Sequence, residues 1–420
     1  MSHRHIIENN LIPFDITHYS YYKELIAQIG DARVVMLGEA THGTYEFYNI
    51  RKKLTQYLIE EHGFNAIAIE GDFTSCYNIN MYIQGEGDAN DALSALRDFQ
   101  RFPRWMWRNE VTVPFLKELR NYNDQSQQKV HFFGLDLYSL HEAILAVINF
   151  LKVHDPKAAN DAIERYSCFE NATQNPQEYG ILVKYAHKKA CVEEVVKQVL
   201  ELQQITYNKM DSLEELDKLF YAKQNAKLIK NAEQYYRCMF DANVNTWNIR
   251  DNHMFETLQN ILTYLSYSQN IHSKVIVWAH NSHVGNARAT DMASYGELNI
   301  GELVKQHYGD SSFLLGFSTY TGTVLAASNW GENPRIKLLN PALKGSYEYM
   351  FHDIMYKNFL LIIKNNLELR EFLSNKLLQR AVGVIYRPDT ERQSHYHMAN
   401  LADQFDAMLH IDITRAITEV

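Results

Sequence analysis

A chain of 420 residues, 46% of them hydrophobic, is long enough to bury a domain-sized core and too apolar to stay disordered. Its formal net charge of −9 argues against nucleic acid or an acidic membrane surface as the main partner. No apolar run approaches the roughly 20 residues of a membrane span. The opening MSHRHIIENNLIPF lacks the apolar centre of a secretory signal. The cysteines at 76, 168, 191 and 238 are scattered with no C-x-x-C, which fits a reducing cytoplasm better than a disulfide framework.

In chain order, residues 1–32 read as a short leader and a helix ending at Gly30. Val34 to Leu37 is a continuous apolar run, expected of a strand buried on both faces. Gly38 ends it, and Glu39 and His42 follow in a turn containing Gly43. Thr44 is a fitting N-cap for a helix whose buried stripe carries Phe47, Ile50, Leu54, Tyr57 and Leu58. Arg51 falls on that same stripe, and an inward guanidinium must be paired or bound. Asn65 to Ile69 is a second strand, ending in Glu70. The patch RFPRWMWRNE, with Trp105 and Trp107, leads into a helix ending near Asn123. Val130 to Gly134 is a third strand, followed by Asp136. From about Leu140 to Ser268 there is no strand signal. Apolar residues recur there every three or four positions, which predicts several helices. Lys274 to Ala279 is a fourth strand, and His280 and His283 come directly after it. Further strands are expected at Ser312–Phe317, near Gly322–Ala327, at Asn358–Ile363, at Ala381–Tyr386 and, briefly, at Leu409–Ile411, with a helix near Ala399–Phe405.

Strand alternating with helix predicts an α/β fold: a central, largely parallel sheet flanked by helices, with an inserted all-helical lobe covering the active-site cleft. The expected division is a core of residues 1–139 and 270–420 and a lobe of residues 140–269. Four buried-type strands stop at Glu39 and His42, Glu70, Asp136, and His280 and His283. In open α/β sheets the ligand crevice lies at the carboxyl ends of the strands, so these residues make a candidate site.

Several chemistries fail on motif. There is no G-x-S-x-G elbow, no H-E-x-x-H, no phosphate loop and no dinucleotide fingerprint. Carboxylates with histidines and no nucleophile suit general-base activation of water, with Arg51 or a second histidine stabilising an oxyanion. The alternative within the same residues is a metal site built on His280 and His283 with Glu39 and Glu70. A different class is a binding protein that keeps the cleft without turnover. Trp105 and Trp107 are candidates for lining a hydrophobic substrate cleft, with helix anchoring as the alternative. Asp136 is read as an orienting group or a helix cap. Ser394 and His395 are adjacent, and adjacent side chains seldom converge as nucleophile and base.

At these residues the sequence resembles the erythromycin esterase family. The resemblance is carried by LGEATHGTYEFYNIR, GFNAIAIEGDF and VIVWAHNSHVG, with FPRWMWRNEV, FFGLDLYS, NIRDNHM and TERQSHYHMANLADQFDAMLHID in support. It implies a central sheet with a helical lobe over a deep cleft, and a hydrolase that opens a carboxylic ester or macrolactone with no metal or other cofactor. The resistance members of the family act on macrolides. By resemblance His42 is the general base, Glu39 and Glu70 the carboxylates around it, Arg51 the cleft arginine and His280 the second site histidine. His283 is a neighbour that would meet substrate. The expected partner is a small-molecule ester or lactone in the cytoplasm, with no nucleic acid or membrane involved.

Overall fold

The computed structural model describes residues 3–15, 22–169, 175–207, 210 and 212–420. The strands are β1 (Leu11–Pro13), β2 (Val34–Leu37), β3 (Ala66–Asp72), β4 (His131–Asp136), β5 (Val275–Trp278), β6 (Ser312–Ala326), β7 (Arg335–Leu339), β8 (Asn358–Ile362), β9 (Leu377–Arg380), β10 (Tyr396–Ala399) and β11 (Ala407–Thr414). Nine of them form one sheet in the order β1-β8-β11-β6-β2-β5-β3-β4, with β7 paired to β6. β2 lies parallel between β5 and β6, and β3 is parallel to β5. β1, β7 and β8 run antiparallel to their neighbours. The fold is therefore mixed α/β with a mostly parallel sheet flanked by helices. β2 and β5 are buried at every residue, as their unbroken apolar runs require of strands covered on both faces.

By contacts the chain divides into two compact units. The first comprises Met1–Glu70, Asn78–Phe132 and Lys274–Val420, and the second Gly71–Tyr77 and Phe133–Ser273. The second unit contains the helices Leu140–His154, Pro156–Tyr166, Pro176–Tyr185, Val192–Gln204, Leu213–Cys238 and Thr246–Gln269. Their starts are set locally. Asp155 and Asn175 accept first-turn amides ahead of a proline at the first helical position, and Ser212 and Asn245 accept amides three residues on. No helix among the described residues is long and apolar enough to cross a membrane.

Some local expectations are corrected. Ser312–Phe317 and Gly322–Ala327 are one strand, because Gly322, at φ +140, lets the chain carry on pairing with both β11 and β7. Ala381–Tyr386 is not a strand. Its β pairing is limited to isolated bridges at Val382 and Ile385. Thr44 stands at the N-cap but makes no capping bond, because its hydroxyl meets that of Thr41. Cys168 and Cys191 form a disulfide with Cα atoms 5.9 Å apart, contrary to the expectation of free thiols. The helices Pro156–Tyr166 and Val192–Gln204 pack together and bring the two cysteines into range, which their separation in sequence conceals.

Two buried histidines give the fold a pH dependence. His395 Nε2 accepts the Arg387 amide at 3.0 Å, and His253 Nδ1 lies 2.9 Å from the Asn231 amide nitrogen. Both contacts favour a neutral ring, and burial pushes each down to about 4. The unfolded chain takes up protons below about 6.5. The stability these rings contribute is therefore whole above about pH 6.5 and declines as pH falls toward 4. Urea unfolding midpoints measured down this range should drop. A level midpoint would show that the rings charge in the folded state without cost.

Candidate active site

The sheet order places the candidate residues together. β5 lies between β2 and β3, with Trp278 level with Leu37 on one side and Ile69 on the other. The residues beyond those positions, Glu39, Glu70 and His280, thus emerge side by side although the sequence separates them widely. Main-chain bonds fix the alignment: the Asn281 amide donates to the Glu39 carbonyl at 2.8 Å, and the His280 amide to Glu70 Oε2 at 2.8 Å. The turn after β2 needs Gly43, since a Cβ there would come within 2.0 Å of the Leu325 carbonyl oxygen.

Within this frame His42 is the centre. Its Nδ1 lies 2.7 Å from Glu39 Oε1, and its Nε2 lies 3.9 Å from Glu70 Oε1. A carboxylate only accepts, so Nδ1 carries a proton, and in the neutral ring the lone pair is on Nε2. The other Glu39 oxygen takes Arg51 Nη2 at 2.6 Å. The Arg51 guanidinium carbon sits 4.5 Å from the Tyr48 ring centroid and 5.0 Å from that of Trp278. His283 Nε2 is 3.4 Å from Glu70 Oε1. The His42 and His280 rings are 4.9 Å apart at their centroids. Burial first, and then His42 beside it, holds the His280 imidazole well below the usual histidine range.

Four expectations change in detail. Arg51 is fully buried and spends its charge on Glu39, so it stands behind the carboxylate and not against an ester carbonyl. His280 has both ring nitrogens engaged, Nδ1 with Ser282 and Nε2 with the Ala40 carbonyl, leaving neither for an oxyanion. Trp105 and Trp107, 1% and 4% exposed, are buried, as the helix-anchoring alternative expects. Trp107 donates from Nε1 to the Glu70 carbonyl at 3.3 Å and packs edge-on to Tyr48. Asp136, in the second unit, makes a two-pronged pair with Arg250, whose Nε and Nη2 reach its carboxylate at 3.0 and 2.6 Å. Ser394 and His395 point to different partners, Thr390 and Arg387. Sequence reasoning missed Tyr48 and Trp278 as the aromatic walls of Arg51. Tyr48 stands three residues before Arg51 on the helix, a spacing that the periodicity could have flagged.

Among the described residues no group of three or more His, Cys, Asp or Glu side chains is arranged to hold a metal ion. Glu39 is taken by His42 and Arg51, and one Glu70 oxygen by the His280 amide.

A profile of the family described as "Erythromycin esterase" matches residues 59–414. The chain belongs to the erythromycin esterase family. The match starts beyond Glu39, His42 and Arg51. Among curated relatives, this family member is 26% identical over 343 residues to erythromycin esterase type II of Escherichia coli, covering 76% of this chain and 78% of the other. It is 22% identical over 369 residues to the putative hydrolase YbfO of Bacillus subtilis, covering 82% and 77%. The fold matches a Bacillus cereus protein at a TM-score of 0.81, with 21% identity over 100% of both chains. It also matches a mutant of the erythromycin esterase EreC in its open conformation, at a TM-score of 0.69 and 18% identity over 95% of this chain and 96% of that one.

Proposed function

We propose that this esterase family member hydrolyses a carboxylic ester or macrolactone by general-base catalysis at His42, without a metal. The supporting observation is His42 held between two carboxylates, with Nδ1 2.7 Å from Glu39 Oε1 and Nε2 3.9 Å from Glu70 Oε1. That span suits one water donating a proton to each acceptor from about 2.8 Å. His42 Nε2 takes a proton as the water oxygen attacks the carbonyl carbon. Glu39 stabilises the imidazolium that forms. The tetrahedral intermediate then collapses, the carbon–oxygen bond breaks, and His42 returns the proton to the leaving alkoxide. A lactone gains one water and stays one molecule, whereas a linear ester gives an acid and an alcohol.

The test is to incubate the purified protein with macrolides, simple lactones and aryl esters and to follow each by mass. Gain of one water by at least one of them is expected. The same turnover is expected after prolonged dialysis against a chelator. No hydrolysis across the panel would overturn the reading, and activity lost to the chelator and restored by a divalent ion would overturn its metal-free form.

A further inference from the structure

His280 belongs to the same cluster, yet its hydrogen bonds give it a different task. Its Nε2 lies 3.2 Å from the Ala40 carbonyl oxygen, which only accepts, so Nε2 carries a proton. Its Nδ1 accepts the Ser282 amide at 3.2 Å, as the N-cap of the short helix Asn281–Val284, so Nδ1 is bare. The Ser282 hydroxyl stands 2.9 Å from the same nitrogen. One protonation state meets both main-chain contacts: the neutral ring with its hydrogen on Nε2. A second proton would set Nδ1–H against the Ser282 amide. The carbonyl it holds is that of Ala40, between Glu39 and His42, which also accepts the Val382 amide at 2.9 Å.

We infer that His280 is a positioning residue: a neutral imidazole, locked in one tautomer by Ala40 and Ser282, that pins the turn carrying Glu39 and His42 to the end of β5. Its place in catalysis rests on the proposed role of His42, but the tie itself does not. The titratable groups facing the ring are His42, Glu70 and His283. Glu70 also receives the His280 amide, so the residue fastens β2 through its side chain and β3 through its main chain. A ring that stays neutral beside His42 also leaves His42 free to accept a proton without a second cation 4.9 Å away.

The tautomer is read directly by nitrogen–proton correlation spectra of protein labelled with 15N-histidine. His280 should show a protonated Nε2 and a bare Nδ1 throughout about pH 5 to 8. His280→Gln places an amide N–H where Nε2 stands, and His280→Asn is too short to reach Ala40. The Gln variant should leave the His42 ring resonances in place and hold turnover of p-nitrophenyl butyrate within about tenfold of the parent. The Asn variant should move those resonances and lower turnover by about 10²-fold, the scale of a displaced catalytic group. A protonated Nδ1, or uptake of a second proton in that range, would overturn the inference. So would equal losses in both variants with the His42 resonances unmoved, which would make the ring itself a catalytic group. Should the Asn variant not fold, the parent tautomer and the Gln variant still decide. If no ester is turned over but the spectra are as expected, the hydrolase reading fails and the tie stands.

Discussion

Replacing His42 with Asn is expected to lower turnover by roughly 10²–10⁴-fold, the usual worth of a positioned general base. Asparagine can still donate to Glu39 from its amide, which preserves the contact measured at 2.7 Å from Nδ1. It has no basic lone pair to offer where Nε2 stands. Binding of substrate should change far less than turnover, because the base acts on the transition state and not on the ground state. Circular dichroism and the unfolding midpoint should match those of the parent. Steady-state kinetics on whichever ester the panel identifies provide the measurement. If the variant keeps most of its turnover, His42 is a structural residue of the turn after β2 and the mechanism is wrong.

The second large effect is on stability. Arg51→Met should destabilise the protein by about 3–5 kcal/mol, the scale for breaking a buried ion pair by removing one partner. Arg51 is 0% exposed and Glu39 1%, and their closest atoms are 2.6 Å apart. Methionine fills much of the space between the Tyr48 and Trp278 rings, so the loss would come mainly from the carboxylate left without its cation. Turnover should fall as well, because Glu39 would no longer be fixed from behind. Adding Glu39→Gln to Arg51→Met should restore part of the stability but not the activity, since the amide replaces a buried charge. Urea unfolding of the two variants provides the check. An unchanged midpoint in Arg51→Met would mean that the pair contributes nothing net.

The central unit was legible because its signals are local. A run of four apolar residues, a glycine, a carboxylate and an imidazole three residues apart, and an arginine on a buried stripe follow one another within a short stretch. The strand positions of Glu70 and His280 were legible for the same reason, and the sheet order then placed them beside His42. What Arg51 and His280 touch was not legible. Whether an inward guanidinium meets substrate or a carboxylate depends on depth, and depth is set by the packing of Tyr48 and Trp278 around it. The ring nitrogens of His280 are claimed by main-chain groups, which every residue carries and no motif reveals. For Trp105 and Trp107 the sequence left cleft and core open, because large aromatics serve both, and both are buried. Ala381–Tyr386 has a strand's composition, but its neighbours offer it only single bridges.

The contact between His280 and Ala40 spans 240 residues of chain, and the whole of the second unit lies inside that span. Closing so long a loop is entropically less severe than its length suggests, because the cost grows only with the logarithm of the number of residues. Doubling the span would add about 0.6 kcal/mol, and halving it would return the same. The helical insertion between β4 and β5 is therefore weakly constrained in length by the stability of the sheet. Its effect falls on the folding rate. The pairing of β2 with β5 has to wait for a distant part of the chain, so the histidine cluster should be among the last features to form. A nascent chain that stops short of β5 carries Glu39 and His42 but neither His280 nor the neighbouring strand that aligns them, so the cluster cannot assemble before the insertion has been made.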